Sequence, residues 1–111
     1  MRGAFLILAA AGAAILAAAP AAAQQPNGNS DRGHALAQTW CSGCHLIEGR
    51  ETTARDTVPS FAAIAAMKST TVLSLEAFLQ TPHGRMPDWR LTRQQIDDVV
   101  TYIMTLRPTA S

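Results

Sequence analysis

Both cysteines of the chain fall in one pentapeptide, Cys41-Ser42-Gly43-Cys44-His45. This C-x-x-C-H arrangement is the attachment pattern for a c-type haem. Thiols one helical turn apart face the same side, so each can add to one vinyl group of a single haem and form a thioether. The next side chain then lies beneath the iron, and one imidazole nitrogen of His45 becomes its proximal ligand. Two other uses of the cysteines, a thioredoxin-type dithiol and a plain disulfide, suit an oxidising compartment. A thioredoxin-type motif belongs beside a βαβ pattern, which the sequence lacks, and neither use requires a histidine at position 45. Zinc fits less well still, because two cysteines and one adjacent histidine leave no second well-spaced ligand pair.

A large prosthetic group also answers a shortage of core. With 111 residues the chain accommodates one small domain. Nineteen of the first 23 residues are apolar, whereas the other 88 hold 34 apolar residues, nine of them alanine and two cysteine. The 23 large apolar side chains that remain are few for a domain that folds unaided, so a staple or a bound group is expected.

The apolar N-terminal stretch reads as a targeting segment. Arg2 gives a positive start, Phe5 to Ala19 an uncharged apolar run, and Ala21-Ala22-Ala23 a small-residue processing site before Gln24-Gln25. Residues 1–23 are therefore expected to be a secretory signal peptide cleaved after Ala23. The alternative, a retained membrane anchor, is disfavoured because an alanine-rich run of roughly 16 residues falls short of the ~20 that a spanning helix needs. Beyond residue 23 the chain has eight Lys and Arg against eight Asp and Glu. That zero balance argues against nucleic-acid binding, which draws on a basic excess. The expected location is the periplasm, with no membrane association after cleavage.

Residues 24–30 (QQPNGNS) read as a flexible leader, 31–107 as the folded domain and 108–111 as a short tail. Asp31 to Trp40 forms a helix capped by Asn29 or Ser30, with Asp31 near the positive helix end. The charged stretch from Leu46 to Val58 has no sustained periodicity and reads as loop, with the mixed charges of Glu48 to Asp56 exposed. Pro59, placed in a first turn where its missing N–H is harmless, opens a helix running to Met67. Val72 to Gln80 follows, capped by Thr70 or Thr71 and stopped at Thr81-Pro82-His83-Gly84. The last helix has a capping-box pair in Thr92 and Gln95, a staple in Leu91 and Ile96, and apolar residues at Ile96, Val99, Val100, Ile103 and Leu106 before Pro108. No alternating strand pattern appears, so the fold class is all-α, with four or five short helices.

With these features in place the chain resembles the class I cytochromes c, small secreted electron carriers of short helices around one covalently bound haem. The resemblance spans about residues 31 to 107 and implies a cytochrome c fold and single-electron transfer rather than enzymatic turnover. In that family a glycine of the first helix lets the C-terminal helix approach closely, which Gly33 matches, with Tyr102 as the aromatic opposite. The family also has a proline whose carbonyl accepts the proximal histidine's other N–H, and Pro59 stands in that position. Such a bond orients the imidazole and raises its basicity.

Met86, in His83-Gly84-Arg85-Met86-Pro87-Asp88-Trp89, is the expected sixth ligand of the iron. Pro87 keeps residue 86 out of helical angles, so the thioether sits in an extended loop between two helices, and Met-Pro matches the family's ligand loop. A thioether favours ferrous iron, so His/Met ligation raises the reduction potential. His83 is the rival ligand. Met67 and Met104 fall within helices and read as core fillers, and His34 reads as solvent-facing. Trp40 and Trp89 either cover the haem or simply pack. Arg85, Arg90 and Arg93 either steer an acidic partner or are solvated charge near Asp88, Asp97 and Asp98. The expected partners are redox proteins: a periplasmic dehydrogenase, an oxidase or another cytochrome, with the chain as a free shuttle or a small haem subunit. The competing readings are an open sixth site, making the chain an enzyme or gas sensor with His83 and Arg85 near the iron, and a haem-free thiol oxidoreductase.

Overall fold

The computed structural model describes residues 18, 26–50, 58–82, 84 and 86–109. Apart from residue 18, the expected targeting segment lies outside the described residues, as do the charged stretch 51–57, His83 and Arg85. Four helices follow in order: α1 (Ser30–Trp40), α2 (Phe61–Ala66), α3 (Val72–Gln80) and α4 (Arg93–Thr105). Among the described residues there is no β-strand, and the all-α expectation holds.

Each helix start follows from a local hydrogen bond. Asn29, in extended conformation, accepts from the Arg32 N–H and caps α1. Thr71 caps α3 and exchanges hydrogen bonds with Ser74, while Thr92 and Gln95 form the expected reciprocal pair at α4. The start of α2 differs from the sequence reading. Ser60 is its N-cap, accepting from the Ala63 N–H at 3.0 Å, so Pro59 stands before the helix rather than in its first turn. A serine hydroxyl satisfies an orphan N–H that proline cannot, and this leaves the Pro59 carbonyl outside the helix ladder.

The helices close around one core made by Ala37, Ile47, Phe61, Ala65, Val72, Leu75, Ile96, Val99, Val100 and Ile103. Leu91 and Met104 pack against its edge, as the staple and core-filler readings require. Met67 departs from expectation. It is the C-cap residue of α2 in extended conformation, 45% exposed, because the helix ends one residue earlier and the chain turns away toward Thr70.

Helix α1 packs chiefly on α4, at a separation only glycine permits. A Cβ at Gly33 would lie 1.9 Å from the Asp98 carbonyl oxygen and 3.0 Å from Cβ of Tyr102. The same crossing buries Asp98, whose carboxylate accepts from the Asn29 N–H at 2.7 Å, Arg32 Nε at 2.9 Å and Gln94 Nε2 at 3.0 Å. The Arg32 hydrogen bond, foremost among these, lowers its pKa to about 2 against the cost of burial. Gly28 N–H also donates to Thr101 Oγ1 at 2.9 Å, so the segment expected as a flexible leader is tied to α4 from Gly28 onward.

Candidate functional site

The C-x-x-C-H segment continues α1 as a single tight turn. Cys41 caps the helix with its N–H on the Ala37 carbonyl, and the N–H groups of Cys44 and His45 both return to the Cys41 carbonyl, at 3.1 and 2.9 Å. Ser42 Oγ donates back to the Gln38 carbonyl at 2.6 Å and fastens the turn to the helix. The two cysteines are not joined in a disulfide. Burial pushes the Cys41 thiol above its ordinary value, opposite to the lowered pKa that a dithiol nucleophile needs.

His45 is oriented by one strong contact: its Nδ1 lies 2.7 Å from the Pro59 carbonyl oxygen. A carbonyl only accepts, so Nδ1 carries the proton and Nε2 keeps its lone pair for a metal. This is the bond that the resemblance led us to expect of Pro59, and it forms because Ser60, not Pro59, begins the helix ladder. The Phe61 ring stands beside the imidazole, centroids 5.4 Å apart, and the Phe61 N–H donates to the Leu46 carbonyl at 2.9 Å.

The residues after His45 are fixed from two further sides, which sequence reasoning missed. Tyr102 O–H donates to the Ile47 carbonyl at 2.7 Å. Its pKa is raised, by burial first and then by the Glu48 charge. His34 faces solvent only in part: it is half-buried, its ring 4.9 Å from that of Tyr102 and its Nε2 2.9 Å from Glu48 Oε1, an oxygen that also accepts from Gln38. The His34 and Gln38 hydrogen bonds hold the Glu48 pKa below its ordinary value. A histidine and an amide one turn apart on α1 were the available sign of a shared acceptor.

Met86 lies half-buried in the connection between α3 and α4. Trp89 of the same loop stacks on Trp40, with centroids 6.0 Å apart and planes 19° apart, which brings the loop to the residue preceding Cys41. Arg93, whose side chain is 70% exposed, lies 3.4 Å from Asp97 and 3.8 Å from Glu76 of α3. The donor set therefore suits a covalently held haem, with two unbridged cysteines on one turn, an imidazole presenting Nε2, and a thioether on the loop whose Trp89 reaches the residue before that turn. Among the described residues no group of three or more His, Cys, Asp and Glu forms a metal cluster, and no helix is long and apolar enough to cross a membrane.

Residues 28–103 match the family model described as cytochrome c oxidase, cbb3-type, subunit III. The chain is also 38% identical over 81 residues to cytochrome c-552 of Bradyrhizobium diazoefficiens, covering 71% of this chain and 78% of that protein. No solved structure matches it. Taken with the helical fold and the thiol-imidazole turn, these matches place the chain in the cytochrome c family, as a class I c-type cytochrome that carries covalently bound haem c and transfers electrons to and from redox proteins rather than catalysing a reaction.

Proposed function

We propose that this protein is a periplasmic single-electron carrier in which Cys41 and Cys44 hold one haem through thioethers, while His45 Nε2 and Met86 Sδ fill the two axial positions. The observation that carries this reading is the Nδ1 contact of His45 with the Pro59 carbonyl at 2.7 Å, which fixes the tautomer that a metal-bound imidazole needs. When bound, the haem supplies the redox chemistry, its iron alternating between ferric and ferrous. The chain's own groups set the conditions for that exchange. The Pro59 carbonyl orients His45 and raises its basicity as a ligand, Phe61 packs beside its ring, Tyr102 ties the Ile47 carbonyl and His34 the Glu48 carboxylate. The Met86 thioether, a soft donor, favours the ferrous state and so raises the potential.

The periplasmic location rests on residues 1–23, read as a cleaved signal peptide, with the folded domain over 31–107. The redox partner is a dehydrogenase, an oxidase or another cytochrome of that compartment, met either as a free shuttle or within a complex. A potentiometric titration of Met86→Ala tests the ligand set. The substitution should lower the reduction potential and abolish the absorption near ~700 nm that belongs to iron–thioether bonding. An unchanged potential and spectrum would remove Met86 from the site.

A further inference from the structure

The loop that carries Met86 is turned back on itself in its described part. Its described backbone hydrogen bonds run from the Trp89 N–H to the Pro87 carbonyl at 3.0 Å and from the Leu91 N–H to the Trp89 carbonyl at 2.9 Å, so they close turns inside the loop. A near-parallel stack of Trp89 on Trp40, at 6.0 Å and 19°, reaches from this loop across to the end of α1. That separation lies in the attractive range for aromatic pairs. Neither indole belongs to the core cluster or to the residues packed on it, and Trp89 is 44% exposed, so filling the interior does not account for the pair. The stack instead joins two chemically distinct segments. Trp40 immediately precedes the first attachment cysteine, and Trp89 follows Met86 by three residues.

We propose that the Trp40–Trp89 stack is a latch that holds the Met86 loop against the attachment turn and sets how long Met86 remains on the iron. Both tryptophans are thus positioning residues, and the proposal rests on the reading of Met86 as the sixth ligand. Opening the loop separates the two indoles, so loss of either ring makes departure of Met86 easier without changing the ligand itself.

Imidazole mixed with the ferric holoprotein tests this, because it occupies the sixth position only after Met86 leaves. At saturating imidazole the observed rate becomes the rate of Met86 departure. Trp89→Ala and Trp40→Ala should each raise that limiting rate by about two- to tenfold, the range an aromatic pair supports, while Trp89→Phe, which keeps a ring, stays within about twofold of the parent. The double alanine variant should be no faster than either single one, since both remove the same contact. Limiting rates that match the parent, even with a lowered Tm, would overturn the latch, as would single effects that multiply in the double variant. A parent protein without the ~700 nm absorption and without a limiting rate would instead overturn the Met86 ligation on which the latch depends.

Discussion

Gly33→Ala separates two opposing physical effects by the sign of a stability change. Judged by helix propensity alone, alanine in α1 should stabilise the protein by about 1 kcal/mol. The packing predicts the reverse. The new methyl group would lie 1.9 Å from the Asp98 carbonyl oxygen and 2.5 Å from its carbon, where ordinary contact begins at 3.4 Å, so α1 and α4 must part by about 1.5 Å. The obstruction is backbone and cannot rotate away. A shift of that size opens the contacts of Ala37 and Val100, both fully buried, and loosens the groups that Asp98 gathers. Overpacking of this kind costs about 3 kcal/mol, leaving a net loss of about 2 kcal/mol. For a domain of this size that lowers Tm by about 8 to 16 °C. Thermal unfolding of the holoprotein followed by far-ultraviolet circular dichroism reads the change, with Ala35→Gly on the exposed side of the same helix as the propensity control. A Gly33→Ala variant that melts above the parent would refute the close crossing and the account of Asp98 burial with it.

Three other perturbations address separate parts of the structure. Asp98→Asn should cost about 1 to 3 kcal/mol at pH 7 by urea unfolding, because it weakens hydrogen bonds to a charged acceptor. The Asp98 pKa falls from 3.8 to about 2 on folding, so its stabilisation is complete above pH 3.8 and fades as pH drops toward 2; the gap between parent and variant should narrow at pH 3, and a constant gap would contradict the assignment. Tyr102→Phe removes the donor to Ile47 and should cost about 1 kcal/mol, read as a lower guanidinium midpoint; an unmoved midpoint would show that the bond adds nothing. Replacing both Cys41 and Cys44 with alanine should yield no haem staining on a denaturing gel and little folded product, whereas a compact, haem-free protein in good yield would show that the core does not need the group.

What the sequence disclosed and what it concealed divide along the range of the interactions. Helix α4 was legible because its signals are local: Thr92 and Gln95 cap it, and Ile96, Val99, Val100 and Ile103 recur on one face and are all buried. The turn from Cys41 to His45 was legible for the same reason. Helix α2 was placed two residues early because Pro59 and Ser60 are both good starting residues, and only the hydroxyl bond to the Ala63 N–H decides between them. The burial of Asp98 has no local sign, because its partners Asn29 and Arg32 lie 69 and 66 residues away. The His34 and Gln38 spacing hints at a shared acceptor but not at Glu48 itself, and the stack of Trp40 on Trp89 depends on a loop meeting a helix in space, which no periodicity announces. The contact of Pro59 with His45 came from family resemblance rather than from spacing, and the fold explains it through the carbonyl left outside α2.

The central claim is that a covalently held haem has both axial positions closed by this chain's own side chains. The most direct measurement is the visible spectrum of protein purified from the periplasm of a host able to attach haem, recorded oxidised, then reduced, then with carbon monoxide added. Iron closed by His45 and Met86 should give a sharp reduced band near ~550 nm that carbon monoxide does not alter. A reduced spectrum that shifts promptly with carbon monoxide would mean an open iron and contradict the His45/Met86 pair, and the absence of any haem band would contradict the account as a whole.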